Sequence, residues 1–302
     1  MHIYYSDVFS FPLTVNHRFP GSKYSLLRKR ISTVFPDLTH NLILSPAASD
    51  QELLLAHNDE YITKVLHGKL TPKEVRRIGF PLSQDLVTRS RHSVGGTIAA
   101  SRQVLQRGGI ACNLAYGTHH AFPDHGEGFC IFNDTAVAAR VVQSEQLADN
   151  ILILDLDVHQ GNGTAAIFAN DTSVFTLSIH NGRNFPFHKE RSCLDIALPD
   201  GAEDAEYLDA VYHGLNSALD KFTPELVIYL AGADPYSGDR LGRLTVSKAG
   251  LAARDEYVFS LLSDHKIPTA VVLAGGYARD IRDTVDIHLN TVGSAQGHYW
   301  QN

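Results

Sequence analysis

Candidate metal ligands follow an apolar run in the stretch ILILDLDVHQGNG, which extends from Ile151 to Gly163. Asp157 and His159 are two residues apart, so on an extended chain both side chains point to the same side and could bind one ion. Asp155 lies on that side too, one step deeper. A catalytic zinc held by such ligands keeps an open position and lowers the pKa of a bound water to ~7. By itself, however, DxDxH fits a buried strand that ends in capping residues equally well.

The apolar run belongs to a series of short apolar segments that alternate with longer helical patterns. Strands are predicted at 2–5, 41–45, 110–114, 151–158, 173–179, 226–232 and 269–276. Helices are predicted near 22–34, 51–67, 87–107, 134–148, 204–221 and 247–265. Strands that are apolar on both faces and separated by helices indicate a mainly parallel sheet with helices on both faces. The sequence therefore predicts one α/β domain over residues 1–302.

Side chains that could do chemistry follow four of these strands, directly where each apolar run ends. In open parallel sheets ligands bind at the carboxyl ends of the strands, so we expect these side chains to meet at one edge. Asp234 would then complete an Asp-His-Asp ligand set with Asp157 and His159. The side chains concerned are the Asp155–His159 segment, His119 and His120, Asp234, and Tyr277.

Two adjacent histidines occur in the stretch THHAF. We interpret His119 and His120 as acid/base catalysts, one taking a proton from an activated water and one delivering a proton to the leaving group. Each imidazole needs a partner that orients its ring, and Asp155 and Asn162 flank the ligand segment. A histidine pair alone is more often incidental, so this interpretation depends on the other strand ends.

Aromatic side chains could complete a substrate site. Gly275 and Gly276 permit unusual backbone angles and a close approach, which would let the hydroxyl of Tyr277 stabilise an oxyanion. Phe129, in EGFCIFND, and Phe185, in NFPFHKE, could form a narrow apolar slot. The alternatives are a surface tyrosine after a turn and loop aromatics that only anchor their loops.

Composition excludes several other classes of protein. The chain has 302 residues, 44% of them hydrophobic, and a net charge of −7 without a basic block, which argues against direct nucleic-acid binding. No apolar run approaches the ~20 residues of a membrane span, and no signal-peptide pattern is present. Cys112, Cys130 and Cys193 form no CxxC pair, which argues against disulfides or a zinc knuckle. We therefore expect a cytoplasmic protein.

Five motifs together resemble the zinc-dependent histone deacetylase superfamily: GTHHAF, GEGFCIFND, DLDVHQGNGT, AGADPYSGDRLGRL and AGGY. The resemblance covers nearly the whole chain, from NHRFPGSKY to GGY, and the forms HQGNG and GDRLGRLTVS are most similar to the class IV branch, which includes deacetylase 11. It implies a single arginase/deacetylase-type α/β domain around an eight-stranded parallel sheet. It also implies hydrolysis of an N-acylated amine, most simply Nε-acyl-lysine in a peptide.

The resemblance implies roles for single positions of this sequence. One Zn²⁺ per chain would be held by Asp157, His159 and Asp234. Catalysis would use His119, His120 as the general base, Tyr277 at the acyl carbonyl, and the partners Asp155 and Asn162. A structural K⁺ or Na⁺ ion would be bound by Asp155, Asp157, His159, Ser178 and Ile179. The substrate would contact tunnel walls at Phe129 and Phe185, the carbonyl of Gly128, the turn at Gly275 and Gly276, and a rim residue, Asp59.

Two positions depart from the pattern of the superfamily. Asn162 stands where many members pair the second histidine with a carboxylate, so His120 should stay neutral more readily. Tyr116 stands where a small residue is expected, and we expect it to reshape the floor of the pocket.

Three alternative functions remain open at this stage. One is a deacetylase for acetylpolyamines or other small amides, and another is a non-catalytic acyl-lysine reader. The third is an arginase-like dimanganese ureohydrolase, although Gln160 and Asn162 occupy the neighbourhood where a second metal needs carboxylates. The length of the acyl chain and the oligomeric state are not predicted.

Overall fold

The apolar segments form one sheet of eight parallel strands in the computed structural model, which describes residues 1–11, 13 and 17–300. The spatial order is β2-β1-β3-β8-β7-β4-β5-β6, and every pairing is parallel. The strands are β1 Ile3–Tyr5, β2 Leu42–Leu44, β3 Ile110–Tyr116, β4 Ile151–Asp155, β5 Val174–Asn181, β6 Leu194–Leu198, β7 Leu226–Ala231 and β8 Thr269–Leu273.

Helices connect the strands and cover both faces of the sheet. They are α1 Lys23–Val34, α2 Asp50–Leu54, α3 Asp59–Leu66, α4 Pro72–Ile78, α5 Gln84–Arg107, α6 Asp134–Ser144, α7 Asn162–Ile167, α8 Asp204–Lys221, α9 Lys248–Asp264 and α10 Ile281–Gly297, with a 3₁₀ helix at Pro36–Asn41. Ile151 and Ile153 of β4 pack into one core with α5 and α6, whereas Leu152 and Leu154 pack into the other with α8 and α9. This alternation explains why the strand is apolar on both faces.

All seven predicted strands are present, and the prediction of a parallel sheet with helices on both faces is confirmed. The eighth strand, β6, was missed because it lies at the edge of the sheet and only Leu198 among its residues is fully buried. The helices α4, α7 and α10 were also missed.

The helix predicted over 51–67 is wrong, because α2 and α3 are separate. The chain between them is tied to another loop: Nδ1 of His57 lies 2.9 Å from the carbonyl of Phe122, and the backbone N–H of Asn58 donates to the carbonyl of Pro123 at 2.7 Å. These contacts divert the backbone from a helical course.

None of the helices in the described ranges is both long enough and apolar enough to cross a membrane.

Candidate active site

Asp157, His159 and Asp234 bring three potential ligand atoms within 4.8 Å of one another at the carboxyl ends of β4 and β7. Nδ1 of His159 lies 2.9 Å from Oδ1 of Asp157 and 3.3 Å from Oδ2 of Asp234. All three side chains are buried. Oδ2 of Asp234 has no hydrogen-bond partner among the described residues, although it is inaccessible to solvent. Two buried carboxylates and an imidazole nitrogen that converge on one point fit a divalent cation such as zinc.

The backbone around the cluster fixes the orientation of both carboxylates. The N–H of Gly275 donates to Oδ2 of Asp157 at 2.6 Å, and the N–H of Val158 donates to Oδ1 of Asp234 at 2.9 Å. A Cβ atom at Gly275 would lie 1.8 Å from Oδ2 of Asp234. Glycine is therefore required at this position because the backbone approaches the ligands closely.

Electrostatic coupling within the cluster is strong. Burial and the neighbouring charge of Asp157 raise the pKa of Asp234 to about 7. Burial opposes the charge on His159, but the adjacent carboxylates of Asp157 and Asp234 prevail and raise its pKa to about 10. The protein thus holds two acidic groups so close together that positive charge between them is stabilising.

The two adjacent histidines have different partners. Nδ1 of His119 donates to Oδ2 of Asp155 at 2.7 Å, and Nδ1 of His120 donates to Oδ1 of Asn162 at 2.7 Å. Burial opposes the charged form of both, but the carboxylate of Asp155 outweighs it and raises the pKa of His119 to about 9. Burial and the neighbouring His119 and His159 lower the pKa of His120 well below its ordinary value. The pair therefore consists of one imidazole that favours the charged form and one that favours the neutral form.

Glu127 was not singled out from the sequence, yet it determines the orientation of the Asn162 amide. Nδ2 of Asn162 donates to Oε1 of Glu127 at 2.8 Å, which leaves Oδ1 directed at His120. Because a carboxylate only accepts hydrogen bonds, the reversed amide would lose the contact with Glu127 and could no longer accept a proton from Nδ1 of His120. Glu127 thereby keeps the proton of His120 on Nδ1 and leaves Nε2 as an acceptor.

Tyr277 lies beyond β8 with its hydroxyl 2.7 Å from that of Tyr116. Tyr116 reaches it because the register of β3 shifts between Asn113 and Tyr116, where the side chain of Asn113 accepts from the N–H of Ala115. Burial raises the pKa of Tyr277 well above its ordinary value, so its hydroxyl remains a hydrogen-bond donor at neutral pH. Tyr116, which was expected to alter the floor of the pocket, thus lines the cavity and contacts Tyr277.

Two further residues, which the sequence did not identify as part of the site, hold the segment that carries Tyr277. Oδ2 of Asp239 accepts from the N–H of Tyr277 at 2.6 Å. Nζ of the buried Lys23 donates to the carbonyls of Ala274 and Gly276, each at 3.3 Å. Asp239 lies in the quoted stretch GDRLGRLTVS and Lys23 lies in the quoted stretch NHRFPGSKY, but neither stretch indicates by itself that the side chain binds the segment of Tyr277.

A cavity of about 390 Å³ leads from the surface to these groups. Its inner part includes His120, His159 and Tyr277. Gly128, Phe129 and Phe185 also line it, and their contact with a substrate stays a prediction. The backbone at Phe129 has φ of +67°, which is unusual for a residue other than glycine and sets its ring against Gly79. The rest of the lining consists of Arg18, Arg76, Arg77, Ile78, Gly79, Tyr116, Arg183, Asn184, Phe187, Leu241 and Arg243.

Three of the sequence-predicted substrate contacts are not part of this lining. Gly275 and Gly276 pack beside the metal-ligand cluster and Thr284 rather than along the cavity. Asp59 is exposed in the first turn of α3, away from the lining. The segment from Arg76 to Gly79 contributes to the lining of the cavity, and a contact between Asp59 and the substrate stays a prediction.

Three of the five residues expected to bind a monovalent cation lie on the neighbouring strands β4 and β5, and Asp157 and His159 follow the end of β4. Ser178 of β5 pairs with Asp155 of β4, and Ile179 follows it. The hydroxyl of Ser178 lies 3.0 Å from Nδ1 of His180. The monovalent ion itself stays a prediction.

Comparisons with known proteins show similarity to histone deacetylases over nearly the whole chain. Residues 17–292 match the model of the histone deacetylase domain. The chain is 44% identical over 290 residues to an uncharacterised protein of Picosynechococcus sp., covering 95% of both chains. It is 33% identical over 286 residues to histone deacetylase 2 of Arabidopsis thaliana, covering 89% of this chain and 73% of the relative. A crystal structure of a histone deacetylase homologue from Aquifex aeolicus superposes with a TM-score of 0.83 at 25% identity, covering 98% of this chain and 84% of the other.

Proposed function

The chain belongs to the histone deacetylase family, and we propose that it is a zinc-dependent amidohydrolase that removes the acyl group from an N-acylated amine, most simply Nε-acyl-lysine. One observation carries this proposal. A candidate metal triad, a neutral imidazole at His120 and a phenol at Tyr277 meet at the inner end of a single cavity. Amide hydrolysis needs an electrophilic centre, a base and an oxyanion donor at one point, and this arrangement provides all three.

Asp157, His159 and Asp234 would hold the zinc, with an open position toward the cavity. When bound, zinc supplies Lewis-acid polarisation of the acyl carbonyl and lowers the pKa of water to ~7. Oδ2 of Asp234 supports this assignment, because it is buried and accepts no hydrogen bond from the described residues, its nearest charged neighbour being His159 at 3.3 Å. A buried carboxylate oxygen that accepts no hydrogen bond is costly unless a cation occupies the site.

His120 would act as the general base and then as the general acid. Its proton resides on Nδ1, so Nε2 can accept a proton from the attacking water. The same proton then passes to the amine nitrogen as its bond to the acyl carbon breaks. His119, paired with Asp155, would remain charged and balance the nearby carboxylates.

Tyr277 would donate a hydrogen bond to the oxyanion that forms from the acyl carbonyl. Its hydroxyl can accept from Tyr116, which leaves its own proton free for the substrate. Phe129 and Phe185 would enclose the acyl-lysine stem, with the carbonyl of Gly128 as an acceptor for the substrate. A K⁺ or Na⁺ ion beside Asp155 and Ser178 would support the ligand strand from below.

The structure of the ligand segment argues against the arginase-like alternative, which needs a second metal ion. The side chain of Gln160 donates to the carbonyl of Glu190 and to Asp195, and Asn162 is engaged with His120. Neither supplies a carboxylate for a second metal.

A series of acyl-lysine peptides from acetyl to myristoyl, tested beside acetylated polyamines, would measure the activity and its preferred acyl length. We expect the zinc-loaded protein to convert at least one peptide into its deacylated form, with a free lysine ε-amine, and to release the acyl group as a carboxylate. Absence of turnover on the whole series would contradict the proposal and favour a non-catalytic acyl-lysine reader.

A further inference from the structure

Five arginines surround the mouth of the cavity, although the chain as a whole carries a net charge of −7. They come from four separate segments: the N-terminal region, the end of α4, the loop after β5 and the loop after β7. Because the arginines come from different segments, their guanidinium groups lie around the mouth and not on one face of a helix. The residues are Arg18, Arg76, Arg77, Arg183 and Arg243.

Few carboxylates balance the positive charge at the mouth, although Arg77 interacts electrostatically with Glu74 of the same helix. No Asp or Glu is among the residues that line the cavity in the described ranges. Asp200 lies 3.2 Å from Arg243 and 3.9 Å from Arg183, so one carboxylate serves two guanidinium groups. Within the same described ranges, the other three arginines form no ion pair at 4.0 Å or less.

We infer that the substrate is an acidic peptide, in which the acyl-lysine is flanked by Asp or Glu on both sides. This inference rests on the proposed function, because it names the substrate class of the same site. Guanidinium groups form paired hydrogen bonds with carboxylates, and a ring of them around a cleft attracts anionic partners. The same ring repels polyamines and lysine-rich segments, which are the cationic candidates for this chemistry.

A peptide fits the mouth better than a small anionic amide. A single carboxylate next to the scissile amide would engage the guanidinium groups of one segment only, whereas four segments contribute arginines. Phe187 is 82% exposed at the same mouth and offers an apolar surface beyond the reach of a small substrate. An extended peptide that crosses the mouth could contact the arginines on both sides of it and also the aromatic ring of Phe187.

Three peptides with the same central acyl-lysine and with Glu, Gln or Lys at the flanking positions test the inference. We expect kcat/KM to fall in the order Glu, Gln, Lys, with about a tenfold step between Glu and Gln at low ionic strength. The step should shrink as the salt concentration rises from about 0.02 M to about 0.5 M, where exposed charges are screened. Equal values for the three peptides would overturn the inference.

Charge reversal at the mouth provides the matched test. In the double variant Arg76→Glu, Arg77→Glu we expect the preference for Glu over Gln to be lost or inverted. The control is Arg107→Glu, Lys221→Glu, which changes the net charge equally at exposed positions near the amino ends of the strands. The control should keep the wild-type order, and loss of the order in the control as well would contradict a local effect of the mouth.

Fluorescence anisotropy with labelled peptides separates the two proposals, since it measures affinity without turnover. Tightest binding of the Glu peptide with no hydrolysis of any peptide would contradict the proposed function and support the acidic-peptide inference. Hydrolysis of all three with equal affinity and equal kcat/KM would support the function and overturn the inference.

Discussion

Oδ1 of Asn162 lies 2.7 Å from Nδ1 of His120 and accepts its hydrogen bond, so the proposed general base is oriented by an amide and not by a carboxylate. The neighbouring His119 is paired with the carboxylate of Asp155 at the same distance. The segment from the end of β4 to the start of α7 thus supplies one charged and one neutral partner. As a result, the two imidazoles favour different protonation states.

The variant Asn162→Asp should shift the pH profile of kcat/KM. The pKa of His120 is lowered well below its ordinary value of 6.5, so the base function is lost only when the pH falls through that lower pKa. A carboxylate at position 162 favours the charged imidazole, so the acidic limb should move to higher pH by about one to two units. The exposed Asn216→Asp is the matched control and should leave the profile unchanged. An unaltered limb in Asn162→Asp would exclude His120 as the titrating base.

Removal of the Glu127 carboxylate should affect turnover through the orientation of Asn162. In Glu127→Ala the amide loses the acceptor for its Nδ2 and can rotate, so we expect kcat to fall about tenfold with little change in KM. Glu127→Gln still offers an acceptor oxygen and should recover most of the activity. If Ala and Gln variants behave alike, Glu127 does not act through hydrogen bonding to Asn162.

The two linked tyrosines should differ in importance. Tyr277→Phe should retain zinc yet lose about 10²–10³ in kcat, the usual cost of removing an oxyanion donor. Tyr116→Phe removes only the hydrogen bond to Tyr277 and should cost several-fold. Steady-state kinetics combined with zinc content by atomic absorption separates the effects. Near wild-type turnover in Tyr277→Phe would contradict its role.

Gly275→Ala should weaken metal binding without altering a ligand. A methyl group there would clash with Oδ2 of Asp234 and Oδ2 of Asp157, at 1.8 and 2.6 Å from the new Cβ. We expect zinc affinity, measured against a chromophoric chelator, to fall about 10–100-fold. Gly297→Ala, whose Cβ would meet nothing within 4 Å, is the control. Unchanged affinity in Gly275→Ala would mean that the carboxylates can move without losing the metal.

The position of the site at the strand ends could be predicted because the local sequence indicates both that β4 is buried and where it ends. The apolar run from Ile151 indicates a strand, and parallel topology brings its end beside those of the neighbouring strands. The edge strand β6 and the helix α10 give weaker signals: β6 is mostly half-buried, and α10 is rich in Val, Thr and Ile, which have modest helix propensity.

Contacts between distant loops could not be predicted in the same way. Tyr116 and Tyr277 are 161 residues apart, and Glu127 and Asn162 are 35 apart, so neither contact has a local pattern. Arg76 and Arg77 illustrate the same limit. They lie in the last turn of α4 and resemble surface arginines in the sequence, yet the fold places them along the cavity.

A titration of metal-free protein with zinc tests the central claim most directly, using release of carboxylate and free amine from an acyl-lysine peptide as the readout. Activity should rise in proportion to added zinc and reach its plateau at one zinc per chain, and Asp234→Asn should show no comparable rise. Full hydrolysis by the metal-free protein, or a plateau that requires two metal ions per chain, would contradict the single-metal site formed by Asp157, His159 and Asp234.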